Sequence, residues 1–227
     1  MCGRFTLTID PEHLQEAFPW AVIPNDLRPR FNIAPAQPVA VIPNTGDNRL
    51  AMFRWGLIPS WAKDPSIGDR MINARAESLA EKPSFRNAYR RRRCLILTDG
   101  FYEWKQNPGM KSKQPMYIRL KDGQPFAFAG LWEQWNAPDG TEIRSCTIIT
   151  TQPNALLEPI HNRMPVILPS DAYPLWLSAE DQQPAQLNEL LIPYPAEAMI
   201  AFPVSKMVNR PEYDAPELIR PVDQIQY

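Results

Sequence analysis

The segment Met116-Tyr-Ile-Arg-Leu-Lys-Asp-Gly-Gln-Pro-Phe-Ala-Phe-Ala-Gly-Leu-Trp132 carries the clearest information about the fold. Its two apolar runs, 116–120 and 126–132, contain the aromatic and branched residues that favour β-strands. The residues between them, Lys121-Asp-Gly-Gln124, have the composition of a tight turn. The segment therefore predicts two consecutive strands that pair as a β-hairpin.

Similar strand candidates lie on both sides of this segment, with short helices between and after them. Prolines are unusually frequent, 26 of 227 residues, and their spread between apolar runs predicts rigid corners that join many short elements. Because strands and helices do not alternate regularly, we expect an α+β domain built on a curved, largely antiparallel sheet. The predicted strands are residues 39–42, 50–55, 94–97, 101–104, 146–150 and 199–202, and the predicted helices are 11–18, 83–92, 172–177 and 184–191.

The overall composition is that of a globular protein, with 44% hydrophobic and 22% charged residues. The net charge of −1 argues against a histone-like or tail-driven nucleic-acid binder, but it leaves a local basic groove open. No apolar run approaches the ~20 residues of a membrane span, and the first residues do not form a secretory signal. We therefore expect a cytoplasmic protein with no membrane contact.

The cysteines indicate a reducing compartment and no disulfide framework. Cys2, Cys94 and Cys146 are odd in number and far apart in the chain. There is no CxxC pair, and His13 and His161 are the two histidines of the sequence, so we expect neither a metal site nor a cofactor. We interpret His13, on the short first helix, as a surface residue.

Cys2 is the most unusual candidate for chemistry. If the initiator methionine is removed, the chain begins with a 1,2-aminothiol, whose α-amino group has a pKa near ~8 and is partly neutral at neutral pH. Such an amine attacks an aldehyde to give an imine, and the neighbouring thiol closes on the imine carbon to give a thiazolidine. The alternative is that residue 2 is a small residue tolerated at a frayed terminus.

Two other titratable residues suggest acid–base work. Glu103 lies among the aromatic residues of Asp99-Gly-Phe-Tyr-Glu-Trp-Lys105, where lost solvation would raise its pKa. The alternative is a surface glutamate paired with Lys105. His161 lies on a proline-stiffened loop, which suits a proton shuttle, although a structural histidine bonded to a loop carbonyl is equally consistent with the sequence.

Several polar and aromatic residues could contact an anion or a base. Asn73 and Arg75 alternate on a predicted strand and so share a face, which could hold a carbonyl or phosphate oxygen or could be an ordinary polar face. Trp55 and Trp61 flank an apolar loop; exposed they could stack on bases and buried they would belong to the core, and we expect them to be mostly core with one exposed tip. Five arginines could contact phosphates, but a solvated helix face is the preferred interpretation. These are Arg86, Arg90, Arg91, Arg92 and Arg93.

Six short motifs, taken in order, resemble those of the SRAP family, the SOS-response-associated peptidase or abasic-site processing proteins. A cysteine at position 2 followed by five ordered motifs is a specific pattern. It covers residues 1 to about 209 of a single domain and leaves 210–227 as a C-terminal extension. The motifs are Met1-Cys-Gly-Arg-Phe5, Phe31-Asn-Ile-Ala-Pro35, Trp55-Gly-Leu-Ile-Pro59, Ile72-Asn-Ala-Arg-Ala-Glu77, Asp99-Gly-Phe-Tyr-Glu-Trp-Lys105 and Ile160-His-Asn-Arg-Met-Pro165.

This resemblance implies a single α+β domain around a barrel-like antiparallel sheet, with a positively charged groove and short peripheral helices. It implies recognition of abasic sites in single-stranded DNA during the DNA damage response. It also implies a thiazolidine crosslink between the ring-opened sugar and the N-terminal cysteine, which shields the lesion from strand cleavage. The matching active-site positions are Cys2 as nucleophile, Asn73 as active-site asparagine, Glu103 as acid–base carboxylate and His161 as proton-transfer histidine.

The resemblance also implies a set of DNA contacts. Trp61 matches the wedge region, but Ala62 follows it where the family pattern has a second tryptophan. The phosphate-contacting arginines are matched by Arg4, Arg75 and Arg163, and the positions that line the DNA channel are matched by Pro35, Trp104 and Thr150.

The main hypothesis is therefore covalent capture of abasic single-stranded DNA by a monomer that associates with the nucleoid when bound to DNA. An imine that does not close can undergo β-elimination, so a weak lyase activity is expected beside it. A second hypothesis is a thiol autopeptidase that removes its own Met1, or a peptidase that cuts other proteins without DNA. A third is a non-covalent reader of modified DNA.

Overall fold

Two β-sheets organise the chain, and short helices lie around them. The computed structural model describes residues 2–109 and 112–222, and the elements below are those of this part of the chain. The strands are β1 (Phe5–Leu7), β2 (Arg30–Ile33), β3 (Pro38–Pro43), β4 (Ala51–Trp55), β5 (Asn73–Arg75), β6 (Arg93–Thr98), β7 (Gly100–Lys105), β8 (Gln114–Leu120), β9 (Phe126–Asn136), β10 (Glu142–Thr151), β11 (Met164–Pro165), β12 (Ile167–Leu168) and β13 (Met199–Pro203). The α-helices are α1 (Pro11–Ala17), α2 (Arg86–Arg91), α3 (Tyr173–Trp176) and α4 (Pro184–Asn188), and 3-10 turns cover Pro65–Arg70, Ala76–Ser78, Ser170–Ala172, Ala196–Ala198, Lys206–Asn209 and Pro216–Ile219.

The larger sheet closes on itself as a five-stranded barrel. Its strands follow the order β10-β4-β3-β6-β9, and β9 pairs again with β10, which completes the ring. The β10–β4 pairing is parallel and the other four are antiparallel. Gly130 lies opposite both Cys94 and Ile148, and a Cβ there would lie 2.8 Å from the Cδ1 atom of Ile96. A glycine at this position thus lets two neighbouring strands approach across the closed ring. The expected α+β fold with a barrel-like, largely antiparallel sheet is confirmed.

The second sheet carries the start of the chain. Its order is β13-β8-β7-β1-β2, with every pairing antiparallel. Phe5 of β1 packs edge-on against Trp55 and Phe128 of the barrel, with ring centroids 5.0 and 5.8 Å apart. Asp99 holds β1 in place, because its carboxylate accepts hydrogen bonds from the Thr6 hydroxyl at 2.5 Å and from the Thr8 amide at 2.7 Å. The first residues of the chain are thus held against the barrel.

The predicted hairpin at residues 116–132 is wrong in one respect. Both strands form, as β8 and β9, and Gly123 adopts a left-handed φ of +74° in the turn. However, β8 pairs with β7 and β13, whereas β9 belongs to the barrel. The turn therefore passes the chain from one sheet to the other. A hairpin and a connection between two sheets have the same local turn signal. Strands distant in sequence decide which of the two forms.

The predicted helix at residues 83–92 is shorter than expected and ends before the arginine cluster does. Hydrogen bonds to the Lys82 carbonyl close a turn ahead of α2, which begins at Arg86. Arg93 is fully buried at the start of β6, so the expected solvated face does not include it. Its guanidinium donates to the backbone carbonyls of Trp176 at 2.9 Å and Ser178 at 2.6 Å, and burial lowers its pKa to about 10.

Other expectations are confirmed. Asp10 caps α1 by accepting a hydrogen bond from the His13 amide at 3.0 Å, and the His13 side chain lies at the surface. Trp55 is fully buried, whereas Trp61 is 59% exposed. The predicted strands at 39–42, 50–55, 94–97, 101–104, 146–150 and 199–202 are present as β3, β4, β6, β7, β10 and β13.

Part of the C-terminal segment packs on the second sheet. Asp214 accepts hydrogen bonds at 2.5 Å from the side chain of Arg30 and from the Phe31 amide. Leu218 is fully buried in a small apolar cluster that includes Tyr102 and Tyr117. Among the described residues, no helix combines the length and the hydrophobicity that a membrane-spanning helix requires.

Candidate active site and nucleic-acid interface

The pairing of β1 with β7 sets the position of Cys2. Phe5 lies opposite Phe101, and the Tyr102 amide donates to the Arg4 carbonyl at 2.9 Å. Continued outward, this register brings the first residues of the chain alongside Glu103. Cys2 is fully buried within the main apolar core. The structure thus places the cysteine in the interior, not on a frayed surface end. Met1, whose removal the crosslinking hypothesis requires, lies outside the described residues.

Asn73 fixes the Cys2 backbone from the side of the barrel. It lies on β5, which pairs in parallel with β10 so that Asn73 is opposite Ile148. Its Nδ2 donates to the Cys2 carbonyl oxygen at 2.8 Å. Its Oδ1 is buried and has no hydrogen-bond partner within the described part of the chain. Asn73 therefore holds Cys2 and also offers one acceptor to a group that enters the site.

Glu103 is a buried carboxyl group beside this position. It is 1% exposed, and burial raises its pKa to about 7 against the weaker opposing effects of the Trp104 amide and the positive charge of Lys113. The predicted desolvation of Glu103 is confirmed, and the alternative of a surface glutamate paired with Lys105 is wrong. A carboxyl group with this pKa exchanges protons readily at neutral pH.

The Cys2 thiol is kept protonated. Burial raises its pKa well above the usual value, and the charge of Glu103 raises it further. The pairing of β1 with β7 brings the two residues close together. Burial likewise raises the pKa of Cys146 in the barrel. A thiolate is therefore not the resting form of Cys2.

His161 lies on the loop that joins β10 to β11. The Arg163 amide donates to its Nδ1 at 3.1 Å, which orients the ring. Burial lowers the pKa of His161, and the charge of Lys113 lowers it further, so the imidazole is neutral at pH 7. Because Lys113 influences both Glu103 and His161, the two loops that carry Lys113 and His161 converge on the same region.

The three arginines matched to phosphate contacts differ in their surroundings. Arg75 is exposed on β5. Arg163 forms a bidentate ion pair with Glu77 at 2.7 and 3.0 Å and donates to the Thr150 carbonyl at 2.6 Å. Arg4 is 9% exposed and is engaged inside the protein, as described next.

Arg4 links three segments of the chain. Its guanidinium donates to Asn32 Oδ1 at 2.7 Å and to the Val208 carbonyl at 2.6 Å. Asn32 in turn donates to the Arg210 carbonyl at 2.9 Å. Arg4 thus has a structural role, and its assignment to a phosphate stays a prediction.

The positions matched to DNA contacts lie on different elements of the fold. Thr150 is fully buried and lies opposite both Arg75 and Pro165, next to Asn73 along the same strand pair. Trp104 is half-buried, and its indole Nε1 donates to Asn209 Oδ1 at 2.8 Å. Pro35 is half-buried in the loop after β2. Trp61 is part of a separate loop and lines an open surface cavity with Lys63 and Arg70.

The arginine cluster of α2 is largely neutralised by acidic partners. Arg90 and Arg91 share Asp181, with nitrogen–oxygen distances of 2.9 and 3.1 Å, and Arg92 pairs with Glu133. The side chains of Arg90, Arg91 and Arg92 stay solvent-exposed, which agrees with the preferred interpretation of a solvated helix face. Within residues 2–109 and 112–222, no three His, Cys, Asp or Glu side chains cluster as metal ligands would.

Three residues of the region were not identified from the sequence. Lys113 lies in a loop with no characteristic spacing, so no pattern indicated it. Glu77 belongs to a quoted motif, but its bidentate contact with Arg163 joins residues that are far apart in the chain. The buried Asn32 could have been noticed, since an amide in an apolar motif has to find hydrogen-bond partners.

Comparison with known proteins identifies the family. The family model described as SOS response associated peptidase (SRAP) matches residues 1–211. The chain is 50% identical over 223 residues to the abasic site processing protein YoqW of Bacillus subtilis (strain 168), covering 96% of this chain and 99% of that protein. It is 29% identical over 272 residues to the abasic site processing protein HMCES of Mus musculus, covering 98% of this chain and 76% of that protein.

A solved structure agrees with this relationship. The crystal structure of a protein from Bacteroides thetaiotaomicron matches with a TM-score of 0.86 at 26% sequence identity, covering 97% of this chain and 100% of that chain. The motifs, the fold and the relatives agree over nearly the whole sequence. The chain therefore belongs to the SOS response associated peptidase (SRAP) family.

Proposed function

We propose that this protein captures abasic sites in single-stranded DNA as a covalent crosslink through Cys2, after removal of Met1. The relatives' names, abasic site processing protein, give the substrate class. One observation carries the proposal: Cys2 is buried beside Glu103, and its carbonyl is held at 2.8 Å by Asn73. A terminal residue fixed from two sheets is preorganised for a reaction at its own amine.

The crosslinking reaction needs no reactant other than the N-terminal cysteine and the sugar aldehyde. The α-amino group adds to C1′ of the ring-opened sugar, and loss of one water gives an imine. The Cys2 sulfur then bonds to the same carbon while the thiol proton passes to nitrogen, which closes the thiazolidine. Because the amine attacks first, the reaction does not require a thiolate, which agrees with the raised pKa of Cys2.

Glu103 supplies the proton transfer that opens the sugar. Its carboxylate takes the proton of the C1′ hydroxyl and returns it to the ring oxygen, which exposes the aldehyde. A pKa of about 7 makes both steps feasible at neutral pH. His161, held neutral by burial, assists collapse of the carbinolamine to the imine. An imine that fails to close undergoes β-elimination, which gives the weak lyase activity.

DNA binding before the reaction rests on phosphate contacts and stacking. Arg75, which is exposed on β5, contacts the phosphates of the strand, and Arg163 and Arg4, whose guanidinium groups are bonded within the protein, border the same region. Trp61, with its exposed indole, and Trp104 provide surfaces for bases. Contacts of this kind do not depend on base sequence, which suits a lesion that has no base. One chain supplies all of these groups, so the proposal requires no second copy, and it places the protein on the chromosome.

The test is adduct formation on a uracil-containing single strand that has been treated with a uracil glycosylase. The wild type should give an adduct that survives denaturing electrophoresis without borohydride, because a thiazolidine needs no reduction to be stable. Binding before the reaction should weaken steeply with salt, and the finished adduct should not. An association that salt fully reverses, with no denaturation-resistant species, would instead support a non-covalent reader of modified DNA.

A thiol peptidase is a weaker candidate. Such an enzyme activates its cysteine with a base that lowers the thiol pKa, whereas burial and Glu103 both raise the pKa of Cys2. The family description nevertheless includes the word peptidase, and removal of Met1 is the peptide cleavage that the crosslinking proposal needs. Mass spectrometry of the chain expressed with methionine aminopeptidase inhibited separates self-processing from processing by the host.

A further inference from the structure

Two segments of the second sheet carry charge of a single sign. Residues 104–121 contain no aspartate or glutamate, and neither do residues 199–211. The whole protein has a net charge of −1, so this concentration of cations is local. The cations of the two segments are Lys105, Lys111, Lys113, Arg119 and Lys121 in the first and Lys206 and Arg210 in the second.

Three of these lysines stand at the same end of three neighbouring strands. Lys105 is the last residue of β7 and pairs with Gln114, and Lys113 directly precedes β8. Gln114 Nε2 donates to the carbonyl of Val204, which joins this end to the segment after β13. Lys206 Nζ lies 3.2 Å from Ser112 Oγ. We call Lys105, Lys113 and Lys206 the lysine rim.

The lysine rim borders the site. Lys105 follows Glu103 by two residues on β7, so their side chains share one face of the strand. Lys113 acts electrostatically on both Glu103 and His161. Trp104 lies between Glu103 and Lys105, and Asn209 holds its indole. A DNA strand that runs from Glu103 toward the lysine rim therefore passes the Trp104 ring and then the lysines.

Two lysines of the rim, Lys105 and Lys113, are exposed or half-buried side chains without a carboxylate ion-pair partner in the described part of the chain. In contrast, Arg90 and Arg91 share Asp181. Lysine is a compact cation that contacts phosphates without demanding a fixed geometry. A phosphodiester backbone is the partner that matches Lys105 and Lys113 beside an aromatic side chain.

We propose that the lysine rim binds the phosphates of the single strand on one side of the lesion. This extends the interface beyond the residues assigned by resemblance and gives the bound strand a direction. The inference rests on the proposed function for the position of the lesion. Binding of the strand by the rim itself does not depend on the crosslinking chemistry.

The test compares the double variant K105Q/K113Q with K82Q/K121Q, which removes the same charge from exposed lysines away from the rim. The probe is a single strand with an abasic analogue that lacks the C1′ hydroxyl and therefore cannot open to an aldehyde. In K105Q/K113Q, loss of two phosphate contacts should reduce the slope of log K against log salt concentration by about 1.4. It should also weaken binding on the order of tenfold near 0.1 M salt. The control variant should bind like the wild type. Equal affinities and slopes for the two double variants overturn the proposal.

Placing the analogue at the 5′ or the 3′ end of the oligonucleotide tests on which side of the lesion the strand contacts the rim. The rim variant should weaken binding to one of these probes and leave the other unchanged, and equal losses for both contradict a rim on one side of the site. Crosslinking of wild type to a reactive abasic strand is measured in parallel. If the wild type forms no adduct but the rim variant still loses affinity for one probe, the proposed function fails and the rim stands. If the wild type forms the adduct but the rim variant binds both probes like the wild type, the proposed function stands and the lysine-rim proposal fails.

Discussion

The N-terminal site and the interior of the barrel both bury a cysteine, but they surround it differently. Cys146 lies on β10 between barrel strands, and burial raises its pKa. Cys2 is just as buried, yet an amide of Asn73 holds its backbone and the carboxyl group of Glu103 lies close to its thiol. Burial alone makes a thiol unreactive. The polar neighbours Asn73 and Glu103 are what distinguish Cys2 from Cys146.

The largest expected effect separates these two cysteines directly. Cys2→Ala should abolish the denaturation-resistant adduct, because the imine then has no thiol to close on. The unclosed imine should partition into β-elimination, so strand cleavage rises as the crosslink disappears. Cys146→Ala removes an equally buried thiol and should crosslink like the wild type. Denaturing electrophoresis of the two variants measures adduct and cleaved strand together, and crosslinking by Cys2→Ala at the wild-type level would refute the account.

Glu103→Gln should slow crosslinking by about 10²–10⁴-fold, the usual contribution of one acid–base group. In the wild type both the Glu103 carboxylate and the terminal amine must be deprotonated, so below pH 7 the rate should fall by up to about a hundredfold per pH unit. In the variant the amine alone titrates, and the fall should be about tenfold per unit. Glu133→Gln alters a buried carboxyl group outside the site and serves as the control. Identical pH profiles for wild type and Glu103→Gln would exclude Glu103 from proton transfer.

The same substitution should stabilise the fold. Burial raises the Glu103 pKa to about 7, so the wild type is fully stable below the unfolded pKa of 4.5 and loses stability as pH rises through 7. The shift corresponds to about 3 kcal/mol at pH 8, which Glu103→Gln should recover. Denaturant unfolding at pH 8 and at pH 4.5 measures the difference, which should vanish at the lower pH. A destabilised variant at pH 8 would mean that the ionised carboxylate is needed by the fold.

Asn73→Ala should have the smallest effect, slowing crosslinking about tenfold through looser positioning of Cys2. Asn44→Ala is the matched control, since Asn44 is also a buried amide that bonds to backbone groups, at Arg93 and Arg91, but away from the site. That variant should lose stability and keep its rate at temperatures where both proteins are folded. A single-turnover time course measures the rates. If both asparagine variants slow the reaction equally, Asn73 contributes to the fold alone.

Local sequence patterns predicted the positions of strands and helices well, but they did not predict which segments pack or pair with one another. The strands of residues 116–132 were predicted, but their assignment to two different sheets depends on β7, β13 and β6, which no local signal identifies. Arg93 was grouped with a helix face by its spacing, whereas the chain buries it against backbone carbonyls near residue 177. In both cases distant segments override a local preference.

In the candidate site, too, local properties could be predicted from the sequence and long-range contacts could not. Aromatic neighbours correctly suggested that Glu103 is desolvated, which is a local property. The proximity of Glu103 to Cys2 depends on strand pairing between residues about 100 positions apart, and the Asn73 contact spans 71 positions. Resemblance to a family could bring these residues together in advance, whereas composition and spacing could not. Lys113 acts through charge alone and matched no motif.

Intact mass of the purified chain, before and after incubation with an abasic oligonucleotide, tests the central claim most directly. If Cys2 captures the lesion, the starting mass is lower by one methionine residue, and the product equals this chain plus the oligonucleotide minus one water. A chain that retains Met1 and keeps its mass unchanged after incubation would contradict capture of the lesion by Cys2.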